Sequence, residues 1–116
     1  MNSANGLPFE WVLDIFRHCE DIDETIFNFT SDDPDYERFL GCLTDVRPNK
    51  LYWAGYCDLP DGFDAATADE LFDAPIYDGK SLKERWGEVN LLAFGWIEPD
   101  EYISRHQDDY PIDAYR

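Results

Sequence analysis

Basic residues are scarce in this chain: 9 Lys+Arg stand against 26 Asp+Glu in 116 residues, a formal net charge of -17 and a pI near 4.1. A surface of that sign repels phosphate backbones and anionic membranes, which excludes ordinary nucleic-acid and membrane binding. Long apolar runs are lacking too, since none approaches the roughly 20 residues of a bilayer-spanning helix. The opening Met1-Asn2-Ser3-Ala4-Asn5-Gly6 has neither a positive region nor an apolar one, so no secretory leader is expected. Cysteine is sparse and odd in number: Cys19, Cys42 and Cys57 predict free core thiols in a reducing cytoplasm rather than a disulfide framework.

Motifs that carry chemistry are missing as well. His18 and His106 stand far apart, and no C-x-x-C or H-x-x-x-H spacing occurs. Asp58, Asp61, Gly62 and Asp64 lie close together like a calcium loop, but the ordered alternation and closing glutamate of such a loop are absent. There is no G-x-S-x-G elbow, and Asp78-Gly79-Lys80-Ser81 lacks the upstream glycine of a phosphate loop. Carboxylate pairs serve glycoside hydrolysis, yet a chain with 26 acids places some pair at a suggestive spacing whatever it does. The expectation is a protein without enzymatic activity, metal or cofactor.

What the chain does have is a core. Hydrophobic residues reach 44% and aromatics 16%, too much apolar surface for a disordered acidic tail and enough for one domain. Leu7 to Glu20 reads as an amphipathic helix, with Phe9, Val12, Leu13 and Phe16 in one stripe widened by Trp11 and Ile15. Asp21–Thr30 reads as a short strand or a packed turn. Ser31-Asp32-Asp33-Pro34 predicts a second helix start, with Tyr36, Phe39, Leu40 and Leu43 on its buried face and Arg47-Pro48-Asn49 as its stop. Lys50–Cys57 and Glu88–Ile97 predict strands. Between them fall a capping box at Thr67–Glu70, a turn at Asp78–Lys80 and a short helix capped by Ser81. Pro99–His106 predicts a last helix, and residues 107–116 a loosely held tail. The fold class is α+β: one small domain spanning 1–116, helices packed on a small β-sheet.

The acids belong to that folded body. Solubility of a small domain asks for a net charge of only about 2–8 in magnitude, and like charges beyond that destabilise the compact state. The excess points to an electrostatic field that captures a cationic partner. From Leu51 to Asp78, aromatics alternate with carboxylates, the composition of an interface that binds a basic surface. On a strand beginning at Leu51, Tyr52 and Trp53 point to opposite faces, one to the core and one outward. The partner-binding candidates are Trp53, Tyr56, Asp58, Asp61, Asp64, Glu70 and Asp73.

Three stretches carry a resemblance: Leu51-Tyr-Trp-Ala-Gly-Tyr-Cys-Asp-Leu-Pro-Asp-Gly62, Thr67-Ala-Asp-Glu-Leu-Phe72 and Asp78-Gly-Lys-Ser-Leu-Lys-Glu-Arg-Trp86. Together they resemble small acidic bacterial immunity proteins, the partners of polymorphic or contact-dependent growth-inhibition toxins. The resemblance implies a cytoplasmic inhibitor, monomeric when free, that binds a cognate toxin domain, often a basic nuclease, and neutralises it stoichiometrically. An alternative reading of the charge is a DNA mimic that blocks restriction or CRISPR proteins. Its acids would be strung along an elongated face rather than gathered in one patch. A small hydrolase, the third class, requires a pocket holding an acid of raised pKa.

Overall fold

The stripe of apolar residues near the N-terminus becomes helix α1, Phe9–His18, in the computed structural model, which describes residues 1–20, 22–43 and 51–116. Its Phe9, Trp11, Val12, Leu13, Ile15 and Phe16 are all buried. Glu10 in the first turn and Arg17 and His18 in the last complement the helix dipole. The helix ends at Cys19, which is left-handed (φ 54°) and returns its N–H to the carbonyls of Ile15 and Phe16.

Five antiparallel strands follow: β1 Thr25–Phe29, β2 Arg38–Leu43, β3 Leu51–Gly55, β4 Phe63–Ala65 and β5 Val89–Phe94, in the spatial order β4-β3-β2-β1-β5. Helices α2, Ala68–Asp73, and α3, Pro99–Arg105, complete the α+β domain. α2 packs on α1, β3 and β4, and α3 on β5. Leu40, Cys42, Tyr52 and Ala54 face this helical side and are buried. The intervening Phe39, Leu43, Leu51 and Trp53 face outward and are only half-buried, the period-2 alternation of a one-sided sheet. β1 is central and buried at every position, which is why it shows no alternation in sequence. The predicted strands β3 and β5 do not pair, because β2 and β1 lie between them. Along the free edge of β5, Asn5 donates to the Leu91 carbonyl at 2.8 Å and accepts its N–H at 3.2 Å, covering the edge.

Several expectations are corrected. Ser31 does not open a helix. Asp32 accepts the Phe29 N–H and Asp33 the Asp35 N–H, both at 2.9 Å, so these side chains close a turn instead of capping a helix. The chain then enters β2, where Phe39, Leu40 and Leu43 alternate between faces; their helix-like spacing was coincidental. A Cβ at Gly41 would lie 2.2 Å from the Asp23 carbonyl oxygen, so the crossing over β2 there admits only glycine. The predicted continuation through residues 44–47, its Arg47-Pro48-Asn49 stop, Lys50 and Asp21 lie outside the described residues.

Ser81 does cap, with Ser81 and Glu84 exchanging side-chain bonds to each other's N–H at 3.0 Å, but a turn and the 3-10 segment Trp86–Glu88 follow in place of an α-helix. The tail is not loose. Trp11 Nε1 donates to the Tyr110 carbonyl at 2.9 Å, Tyr115 donates to Asp14 at 2.8 Å, and Ile112 is buried. Nor are all three cysteines free: Cys19 and Cys42 form a disulfide, with Cα atoms 5.8 Å apart, tying the end of α1 to β2. Only Cys57 remains a free thiol. The left-handed turn at Cys19 sets its side chain over the inner face of β2, a long-range meeting that a separation of 23 residues does not announce.

Candidate functional site

The end of β3 builds an open concavity in the surface. After Gly55 the chain turns sharply at Tyr56, left-handed at φ 58° and 57% exposed, and loops out before returning as β4. The loop closes through Gly62 (φ 82°), where a Cβ would stand 2.9 Å from the Ala54 carbonyl oxygen. Between loop and sheet lies a cleft of about 760 Å³, lined chiefly by Tyr36, Trp53, Tyr56, Phe63, Asp61 and Asp64, with Asp58 and Asp78 also in its wall. Tyr52 points inward, where its hydroxyl donates to the Phe16 carbonyl at 2.7 Å, and its neighbour Trp53 points out, opposite Asp64 on β4. Tyr56 is seated against Tyr36 (6.1 Å between ring centres) and Phe39 (5.6 Å).

The carboxylates here differ in what they already hold. Asp58 accepts the N–H groups of Asp78 at 2.9 Å and Gly79 at 3.0 Å, and these bonds keep its carboxyl below the usual range. Its work is to pin the loop to the next turn. Asp78 lies 3.6 Å from Arg85. Asp61 and Asp64 are exposed and make no ion pair among the described residues. Arg38, the one base of the described residues in the cleft wall, is spoken for. Asp32 accepts from its Nε at 2.8 Å and Nη2 at 3.0 Å, and the Tyr56 carbonyl from its Nη1 at 2.5 Å. The Arg38 guanidinium holds the Asp32 carboxyl low, and Asp32 in turn raises Arg38.

Five of the seven expected residues therefore meet at one site: Trp53, Tyr56, Asp58, Asp61 and Asp64. Glu70 and Asp73 do not. They belong to α2, where Glu70 is occupied in capping, accepting the Ala66 N–H at 3.1 Å while its own N–H goes to Thr67 Oγ1 at 3.1 Å. Asp73 borders the seam between α1 and α2, beside Arg17, Asp69 and Lys83. Reading the 31–43 stretch as a helix hid Tyr36 and Arg38, which turn structure and β2 bring to the cleft.

Among the described residues, no group of three or more His, Cys, Asp or Glu is placed to hold a metal ion, and no helix is long and apolar enough to cross a membrane. Compared with known proteins, the chain matches no family model, no curated protein and no solved structure.

Proposed function

We propose that this protein is an inhibitory binding protein that captures a basic protein domain through the cleft at the end of β3. Following the resemblance of its 51–86 segment, the partner is a cognate bacterial toxin domain of nuclease type, neutralised by occlusion of its substrate groove or an adjacent basic surface. The observation that carries the reading is the meeting of exposed aromatics with Asp61 and Asp64, two carboxylates no base of the described chain answers. Aromatic anchors amid charge are the composition of binding hot spots. The net charge of -17 adds a field that steers a cationic partner toward association at about 10⁸–10⁹ M⁻¹s⁻¹. The inhibitor is monomeric when free, since its own charge opposes self-association.

The other readings find less support. A DNA mimic asks for one long acidic face, whereas the molecule measures 38 × 36 × 22 Å, a slab with no dominant axis. A carboxylate hydrolase asks for an acid of raised pKa, whereas Asp32, Asp58 and Asp69, the acids with a marked shift among the described residues, are all lowered.

The test is capture of partners by the tagged full chain from its host's lysate, with washes at low and then high salt. The expected result is one basic polypeptide that arrests growth when expressed alone and is silenced by co-expression of this chain. Retention of a restriction or CRISPR complex would overturn the reading in favour of the mimic, and nothing retained at low salt would overturn both. Location is read from the resemblance as cytoplasmic. Because disulfides are rare in reducing cytosol, trapping thiols at lysis, which shows whether Cys19 and Cys42 are paired in the cell, tests it.

A further inference from the structure

Residues Ser3 to Leu7 form a hook that lies along the free edge of β5. The Ser3 N–H donates to the Leu7 carbonyl at 2.8 Å, the Leu7 N–H to Ser3 Oγ at 2.9 Å, and the Ala4 N–H to the Val89 carbonyl at 2.8 Å. Ser3 Oγ donates in turn to Asn5 Oδ1 at 2.9 Å. The Asn5 carboxamide fastens the hook to the sheet. Its Nδ2 donates to the Leu91 carbonyl and its Oδ1 accepts the Leu91 N–H, the two bonds that a residue of a neighbouring antiparallel strand would make. A carboxamide does both, whereas a carboxylate has no proton to donate.

The residue after Asn5 is Gly6, and this is the one Asn-Gly pair of the sequence. Both residues are exposed, and the space where a Gly6 Cβ would stand is empty to 4 Å. With no side chain in the way, the Gly6 nitrogen can approach the Asn5 side chain closely, which makes the pair prone to deamidation. In that reaction the Gly6 nitrogen bonds to Asn5 Cγ, the bond from Cγ to Nδ2 breaks, and Nδ2 leaves as ammonia with the proton that the Gly6 nitrogen gives up. Water then opens the five-membered imide to aspartate or to isoaspartate, in which the main chain runs through the former side-chain carboxyl. In the fold both nitrogens are engaged: the Gly6 N–H donates to the Ser3 carbonyl at 3.0 Å, and Nδ2 is held on Leu91 at 2.8 Å.

We infer that Asn5 is a deamidation site gated by the fold. The closed hook turns the attacking nitrogen to Ser3 and keeps the leaving nitrogen on β5, so the imide forms only when the hook opens. An exposed hook opens locally at a free energy well below that of the core. The change is one-way. A carboxylate in place of the carboxamide sets an oxygen against the Leu91 carbonyl, so the modified hook no longer fastens there and the edge of β5 is left open to pairing with another strand. The inference stands apart from the binding reading and needs no partner.

The experiment incubates the full chain in mildly alkaline buffer, folded and in urea, and follows each asparagine by peptide mass spectrometry. Asn5 is expected to be the first to react in urea, and to react about tenfold or more slowly in the fold, the factor that two hydrogen bonds supply. Ser3→Ala removes the hydroxyl that holds Asn5 and Leu7 but leaves the Asn-Gly pair intact. It should speed the reaction in the fold about fivefold and leave the rate in urea unchanged. Asn5→Asp, the product itself, should speed hydrogen exchange at the Ala4 and Leu91 amides about tenfold. Unchanged exchange across β1 would show that both variants keep the fold. Equal rates in the fold and in urea, a Ser3→Ala chain no faster than the parent in the fold, or unaltered Ala4 and Leu91 exchange in Asn5→Asp would each overturn the inference.

Discussion

Along the seam between α1 and α2, Asp14 and Asp69 hold Arg17 from two sides at 2.9 and 2.8 Å, and Lys83 lies beside Asp73. At the cleft, Asp61 and Asp64 are exposed, yet none of the described bases answers them. Arg38, the only base of the described residues in the cleft wall, is turned instead to Asp32. In a chain with 9 bases, where those bases are placed decides which acids keep their field. The Asp14–Arg17–Asp69 group closes its own electrostatics and contributes to the fold; the cleft leaves its charge directed outward, next to aromatic rings. Net charge alone could not have separated the two regions. Pairing does.

Neutralising each region in turn breaks the comparison most forcefully. Asp61→Asn/Asp64→Asn should weaken the captured partner's binding by about 2–5 kcal/mol, the scale of a lost charge at an interface centre. Asp69→Asn/Asp73→Asn changes the charge equally, yet should cost only about 0.5–1 kcal/mol of stability and leave affinity in place. Calorimetric titration and thermal melts of both variants read this directly.

The disulfide lies on the helical side of the sheet. Reduction, or Cys42→Ser, should remove about 3 kcal/mol of stability, as opening a loop of this length does, and lower Tm with no change in partner affinity measured below the melt. A parallel loss of affinity would show that the two sides of the sheet are coupled.

A pH-dependent effect concerns Asp32, whose carboxyl in the folded state is held below its unfolded value of about 3.9 chiefly by Arg38. Its contribution is thus fully present above that unfolded value and is lost as pH falls through the lower folded one. Asp32→Asn should lower stability by about 2 kcal/mol at pH 7 and make less difference at pH 3. Denaturant melts at the two pH values check the sign.

Local chemistry made much of this legible in advance. The apolar stripe of α1, the capping box at Thr67, Pro99 at the start of α3 and the opposed Tyr52 and Trp53 each declare their structure within a few residues. What failed was ambiguous or long-range. Asp32, Asp33 and Pro34 suit a helix start and an Asx turn equally, and only the place of β2 between β1 and β3 decides. The tail looked loose because its anchors, Trp11 and Asp14, lie about a hundred residues away. The cleft was legible where it is contiguous, from Trp53 to Asp64. Tyr36 and Arg38 reach it through tertiary structure, and Glu70 and Asp73, near in sequence, are carried off by α2.

Carboxylate footprinting tests the central claim most directly: carbodiimide labelling of the protein alone and with its captured partner, read by mass spectrometry. The account predicts that Asp61 and Asp64 lose their labelling in the complex while Asp69 and Asp73 keep theirs. Protection of Asp69 and Asp73, with Asp61 and Asp64 still labelled, would contradict it.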